Sequence, residues 1–144
     1  MLFGAAMAPF HEVTVLLDGR IVRLWRSRRA FADAVELRTE SRRVVEELNR
    51  LGRAGKGLLI DSRLAPHSTE SQLEDEFRRY RQEVMAGYDR VASLVRTKVA
   101  ILQVNRLLVG QAPAFQAFDS EGDAIEYLLH GPSKRPSKRP SRAP

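Results

Sequence analysis

Three side chains that could form a nucleophile–base pair lie close together in the sequence: Asp61, Ser62 and His67. A serine hydroxyl becomes a nucleophile when an imidazole takes its proton and a carboxylate orients that imidazole. The strained G-x-S-x-G turn that usually presents such a serine is absent around Ser62. We therefore predict that the chain is not an enzyme, and that Asp61 is a strand-end carboxylate that accepts hydrogen bonds from nearby backbone amides.

Hydroxyl side chains follow directly, at the start of a helical pattern. Thr69 with Gln72, and Ser71 with Glu74, each fit the S/T-x-x-E/Q capping box, so helix capping is the simpler interpretation. The alternative is phosphorylation at Ser68 or Thr69. A phosphate would add about −1.5 to −2 charges at a helix N-terminus, where the helix dipole favours anions.

Residues that could hold a metal or a cofactor are sparse. The chain has no cysteine, and its three histidines, His11, His67 and His130, lie far apart without the H-x₃₋₅-H spacing of zinc sites. Neither a G-x-x-x-x-G-K-[ST] loop nor a G-x-G-x-x-G turn occurs to hold a phosphate. We predict no metal and no cofactor.

The element that must position Asp61 and Ser62 is the run GLLIDSR, from Gly57 to Arg63. Its unbroken apolar residues predict a central strand that is buried on both faces. In α/β folds, binding sites tend to lie at the carboxyl end of such strands. This places the candidate site in the loop that follows, through Gln72.

Strand and helix patterns alternate around this run. HEVTVLL and RIVRLWRS flank Asp18-Gly19, a pair typical of a hairpin with a two-residue turn, and the second strand is predicted to have one apolar and one basic face. The order β-β-α-β-α-β-α-β-α predicts an α/β fold with a mixed, largely parallel sheet of about five strands, opening with a β-hairpin and covered by helices. The predicted helices begin near Arg29, Ser71, Thr97 and Glu121, and the later strands are RVASLVR from Arg90 and AFQAF from Ala114.

The net charge of +6 is concentrated at the end of the chain. Five basic residues lie in the repeat SKRP-SKRP-SRAP, which contains no acid, so the rest carries about +1 (6 − 5). Proline at every fourth position predicts a disordered tail. The tail is either inert and solubilising, or it binds nucleic acid or another anionic surface weakly. Its basic residues are Lys134, Arg135, Lys138, Arg139 and Arg142.

We predict three regions: a disordered or misassigned start over residues 1–10, one domain over 11–130, and the tail over 131–144. The start lacks the basic leader of a signal peptide, and no apolar run approaches the ~20 residues that span a bilayer. The absence of cysteine suits a reducing compartment, so we expect a cytoplasmic protein.

The hairpin, the strand LLIDSR, the strand VASLVR with its helix and the final AFQAF strand, in this order, resemble a SpoIIAA-like domain of the STAS/Sec14 type over His11 to Leu129. The resemblance implies a non-catalytic module that binds other proteins. In some STAS members a serine in a D-S-x-G-L motif is phosphorylated, whereas the segment HSTESQL here lacks the glycine. Sec14-type relatives bind lipids in an apolar cavity.

From this resemblance we expect a regulatory protein-interaction module that docks through the loop and helix start after the central strand. Three alternatives stay open: a binder of lipid or another small apolar ligand, weak nucleic-acid association through the tail, and a cryptic enzyme. The residues expected to contact the protein partner, or to act as a switch, are Asp61, Ser62, His67, Ser68 and Thr69.

Overall fold

The described part of the chain forms five strands and four helices in the predicted order. A computed structural model describes residues 8–66, 73–108 and 113–132. None of the helices in these three ranges is long and apolar enough to cross a membrane. The elements are β1 His11–Leu16, β2 Ile21–Arg26, α1 Ala34–Leu51, β3 Gly57–Asp61, α2 Glu74–Met85, β4 Arg90–Leu94, α3 Lys98–Leu108, β5 Ala114–Phe118 and α4 Glu121–His130.

The five strands form one mixed sheet in the order β1-β2-β3-β4-β5. β1 is antiparallel to β2, and every other pair is parallel. From β2 to β5, each parallel strand is added on the same side of the strand before it. Right-handed crossovers in one direction place their helices on one face of the sheet, and these helices are α1, α2 and α3. Helix α4 follows the last strand and packs on the opposite face against β3 and β4. The predicted fold class is confirmed.

Each face of the sheet has its own hydrophobic core. Strand β3 contributes to both, because successive side chains of a strand point to opposite faces: Leu58 packs under α1, α2 and α3, and Leu59 packs under α4, both fully buried. The prediction that this strand is buried on both faces is confirmed. Helix α4 brings the fully buried Ala124 to its core, and α1 brings Val44 and Leu48 to the other.

The connection between β1 and β2 differs from the predicted two-residue turn. Leu16 pairs with Ile21, so four residues connect the strands. Leu17, Asp18 and Gly19 all have positive φ angles, of 54°, 57° and 87°, and the Gly19 amide donates to the Leu16 carbonyl at 3.1 Å. The hairpin is confirmed, but the turn length was wrong because pairing stops one residue short of Asp18-Gly19 on each side.

Strand β2 does not have one apolar and one basic face, so that prediction was wrong. Arg23 and Arg26 are three residues apart and therefore point to opposite faces. Arg23 lies on the α4 side with Ile21, and Arg26 lies on the other side with Leu24. Helices cover both faces of the sheet, so each arginine has to be accommodated within partly buried surroundings.

Helix α1 begins later than the predicted Arg29. Asp33 is its N-cap, and the Asp33 side chain accepts a hydrogen bond from the Glu36 amide at 2.9 Å. Phe31, which continues the apolar pattern of the helix, lies before it and stacks on Phe10 with ring centroids 4.2 Å apart. The apolar pattern predicted too long a helix, because Phe31 is buried against the segment before β1 and does not belong to α1.

Helix α4 begins as predicted. The Ser120 side chain accepts a hydrogen bond from the Asp123 amide at 3.3 Å and caps the first turn. Thr69 and Ser71, the predicted caps of α2, lie outside the described residues. So do residues 1–7 of the predicted start and 133–144 of the predicted tail, and both predictions stay open.

Candidate functional site

The carboxyl ends of β2, β3 and β4 meet at one edge of the sheet, where the sequence placed the site. Asp61 is the last residue of β3 and Ser62 follows it. The Ser62 amide donates to the Leu94 carbonyl at 2.9 Å, which continues the parallel pairing. Adjacent residues of an extended strand point to opposite faces, so the structure brings both predicted residues to this edge but directs their side chains apart.

Asp61 lies on the α4 side and is neutralised by two arginines. Arg23 donates to its Oδ2 at 2.5 Å, and Arg63 donates to Oδ1 and Oδ2 at 3.0 and 2.8 Å. Burial would raise the pKa of the Asp61 carboxyl, but these hydrogen bonds outweigh that effect and lower it. The predicted backbone contact is present as well, from the Arg63 amide at 3.2 Å. Asp61 therefore connects β2, through Arg23, with the loop after β3, through Arg63.

Ser62 lies on the other side and lines a cavity between the sheet and helices α2 and α3. The cavity has a volume of about 260 Å³. His67, Ser68 and Thr69, the remaining predicted contact residues, lie outside the described residues, as do the five basic residues of the tail. The cavity wall is mainly apolar and includes Leu24, Ile60, Val84, Met85, Leu108 and Phe115.

A larger groove of about 740 Å³ runs between α1 and α2, but charged side chains fill its walls. Arg38 donates to both oxygens of Glu76 at 3.3 Å, and Arg79 donates to the same carboxylate at 3.2 and 3.3 Å. The Arg38–Glu76 pair joins α1 to α2 at the surface, and the Arg79–Glu76 pair lies within α2. Charged side chains that pair with one another therefore occupy this groove. The apolar cavity is the better candidate for a ligand-binding site.

A buried polar network borders the cavity. His11, at the start of β1, bonds through Nδ1 to Glu40 of α1 and through Nε2 to the hydroxyl of Tyr80 of α2, each at 2.8 Å. Arg43 donates to both Glu40 oxygens at 2.9 and 2.8 Å. His11 is 4% exposed and Glu40 is 7% exposed. The network thus fixes β1, α1 and α2 relative to one another.

The protonation states of this network follow from its contacts. Burial would raise the pKa of Glu40, but the hydrogen bonds from Arg43 and His11 outweigh it and hold that pKa at about 2. Burial lowers the pKa of His11 and raises the pKa of Tyr80. Glu40 is therefore an anion at neutral pH, neutral His11 donates to it from Nδ1, and the Tyr80 hydroxyl donates to Nε2.

Besides Arg81 of α2, Arg26 is a charged residue of the cavity wall. It ends β2, is 8% exposed and donates from Nη1 to the Ser27 carbonyl at 2.9 Å. Its guanidinium lies 4.8 Å from the centroid of the Phe31 ring, a cation–π distance. Burial lowers the pKa of Arg26. Within the three described ranges, it forms no ion pair with a carboxylate.

No sequence pattern indicates that His11, Arg26, Glu40 and Tyr80 lie together. One signal was available for Glu40, which lies on the same helix stripe as the fully buried Leu37 and Val44. A carboxylate in an apolar stripe requires a buried partner. The identity of that partner was not readable, since His11 and Glu40 are 29 residues apart in the chain. Among the described residues no group of three or more acidic or histidine side chains could hold a metal ion.

Similarity to known proteins is found at the level of structure. No family model matches the chain, and no curated protein matches it. The structure is similar to that of an uncharacterised protein of the DUF3478 family from Shewanella loihica PV-4, which has a SpoIIAA-like fold. The TM-score is 0.61 at 12% sequence identity, over 86% of this chain and 99% of the other. The predicted resemblance is confirmed at the level of the fold: this chain folds as a SpoIIAA-like domain.

Proposed function

We propose that this domain is a non-catalytic module that binds a small, mainly apolar ligand in the cavity beneath α2 and α3. The observation that carries the proposal is the cavity itself, which lies at the carboxyl edge of the parallel strands and has apolar walls with a few polar groups. Ligand sites of α/β proteins concentrate at this edge and have this composition. Of the functions expected from sequence, the small-ligand alternative thus gains the most support.

The size of the cavity limits the size of the ligand. If each non-hydrogen atom occupies the volume of a water molecule in the liquid, about 30 Å³, a cavity of about 260 Å³ holds about nine of them. This is slightly below the usual range of roughly 300–1,000 Å³ for ligand pockets. A short acyl chain or a single substituted ring fits this limit.

The polar network supports binding rather than catalysis. A general base needs a ring nitrogen that faces the substrate, but both nitrogens of His11 are held by Glu40 and Tyr80. Ser62 has no hydrogen bond to an imidazole among the described residues, and Asp61 lies on the opposite face. The network therefore supports a scaffold role for His11, in which it keeps the cavity wall in place.

A cavity-filling variant tests the proposal. Val104 of α3 lines the cavity, whereas Val99 on the same helix is 63% exposed. We expect hexanoate, 1-hexanol, benzoate or benzyl alcohol to bind the wild type saturably in NMR titrations. Val104→Phe should abolish this binding, and Val99→Phe, with the same change of side chain, should retain it. Ala65→Leu fills the cavity from the loop after β3 and replaces Val104→Phe if that variant does not fold.

The proposal is wrong if no probe binds the wild type, or if the filled and control variants bind equally well. Circular dichroism of each variant establishes that loss of binding does not reflect loss of the fold.

The protein-interaction function expected from sequence is a second candidate. It is supported by three large apolar side chains that α3 exposes, Val99, Leu102 and Leu107, at 63, 62 and 53%. Exposed apolar surface of this kind marks interaction sites. Replacing Val99 and Leu102 by serine should release a protein that the wild type retains in affinity capture. Equal retention by both would argue against docking on α3.

A further inference from the structure

The charges around the cavity do not cancel among the described residues. Glu40 is the acid of the bordering network, and its carboxylate already binds Arg43 and His11. Arg81, which lines the cavity with its side chain 26% exposed, pairs with Glu74 at 3.4 Å. Arg26 is the cation left over, because its described polar contacts are backbone carbonyls, of Ser27 at 2.9 Å and Phe10 at 3.5 Å.

A buried guanidinium normally has a carboxylate or phosphate partner, since removing a charge from water is costly unless the charge is paired. Two arginines that pack close to the sheet follow this rule: Arg23 of β2 pairs with Asp61, and Arg43 of α1 pairs with Glu40. Arg26 is more deeply buried than any other described arginine and has no ion pair among the described residues. The half-buried Arg53 and Arg90 likewise donate to backbone carbonyls without an ion pair. Because no described carboxylate supplies a partner for Arg26, this guanidinium is a candidate site for an anion from outside the chain.

The position of Arg26 also restricts how that anion binds. The guanidinium lies against the Phe31 ring at 4.8 Å, and the Phe10–Phe31 stack supports it from the side of the segment before β1. Both carbonyl contacts use Nη1, so among the described residues Nη2 and Nε have no hydrogen-bond acceptor. Two hydroxyls line the same cavity, those of Ser62 and of Ser93, which is 6% exposed. These hydroxyls and the Arg26 guanidinium are polar groups in a mainly apolar wall.

We propose that the ligand of this cavity is a monocarboxylate with a short apolar chain or a single ring, its carboxylate bound by Arg26 and its apolar part packed under α2 and α3. This inference rests on the proposed small-ligand function. Among the described residues that line the cavity, Arg26 is the one guanidinium without an ion pair, and a single negative charge balances it. The planar N–H fork of a guanidinium matches a carboxylate. Hexanoate and benzoate have the size that the cavity admits.

Matched pairs of probes test the charge of the ligand. In isothermal titration calorimetry at pH 7, hexanoate should bind about tenfold more tightly than 1-hexanol, and benzoate about tenfold more tightly than benzyl alcohol, since only the acids form charge-assisted hydrogen bonds. Arg26→Met should remove this preference while it retains binding of 1-hexanol. Arg50→Gln, which removes an exposed arginine of α1 that is paired with Glu47, should leave the preference unchanged.

Each outcome separates the two proposals. Equal affinity for acid and alcohol in the wild type overturns the carboxylate assignment but leaves the small-ligand function standing. Failure of both acid and alcohol to bind overturns both. Tighter binding of butyl phosphate, which has nine non-hydrogen atoms, than of hexanoate replaces the carboxylate with a phosphate and overturns this inference. The comparison within the wild type needs no variant, so it decides even if Arg26→Met does not fold.

Discussion

Replacing Glu40 by glutamine should destabilise the protein strongly at neutral pH and only weakly in acid. The side chain of Glu40 is 9% exposed and accepts charge-assisted hydrogen bonds from Arg43, besides that from His11. Glutamine keeps the shape of the side chain but removes its charge and one acceptor oxygen. Arg43 and neutral His11 would then lose the anion that both donate to.

The magnitude follows from the pKa of Glu40. A lowering from 4.5 to about 2, at about 1.4 kcal/mol per pH unit, corresponds to about 3 kcal/mol of stability. Because the pKa is lower in the folded state, this stabilisation is complete above pH 4.5 and is lost as the pH falls towards 2. For a chain of this length, 3 kcal/mol at neutral pH is roughly 10 °C in Tm.

Urea unfolding followed by the fluorescence of Trp25, the single tryptophan, and by circular dichroism measures this difference. Between pH 7 and pH 5 the wild type should exceed Glu40→Gln by a nearly constant amount, and by pH 3 the difference should fall to less than half. Glu47→Gln on the exposed side of the same helix is the control and should change little. A difference below about 1 kcal/mol at pH 7, or one that persists unchanged at pH 3, would refute the pKa reasoning.

Three further substitutions test the packing and the ion pairs, each by urea unfolding. Gly57→Ala should cost about 1–3 kcal/mol, because its Cβ would lie 3.0 Å from the Leu128 Cβ and 3.1 Å from the Leu128 Cδ2; no cost would mean that α4 packs less closely. Ser120→Ala should cost about 1 kcal/mol as the cap of α4 is lost, and an unchanged stability would exclude the cap. Asp61→Asn should cost about 3 kcal/mol, since Arg23 is left without its anion; a neutral result would mean that solvent replaces the carboxylate.

The parts of the fold that sequence predicted correctly have strong local signals. Strand β3 is a short apolar run between a glycine and a polar loop, and its length and burial follow from that run. Helix α4 begins at Ser120 because the capping residue and its partner are three positions apart. In both cases the information lies within a few neighbouring residues, so a pattern is sufficient.

The candidate site could not be predicted in the same way. Tyr80 and His11 are 69 residues apart, and they meet only because the crossovers place α1 and α2 on the same face as the start of β1. The prediction for the two faces of β2 was wrong for a related reason. In IVRLWR, apolar residues occupy both odd and even positions, so the alternation does not show which face is apolar. Arg23 faces the core under α4, and Arg26 faces the core under α1, α2 and α3. This assignment depends on helices that are distant from β2 in the sequence.

The strand order β1 to β5 also has a consequence for synthesis on the ribosome. Each new strand pairs with the one that was made just before it, so the sheet can grow by addition at one edge, without inserting a strand between two others. The face under α4 is different, because Ile21 and Leu59 are translated long before the helix that covers them. A nascent chain that has completed β5 but not α4 still exposes this apolar face, and it is then most prone to aggregate.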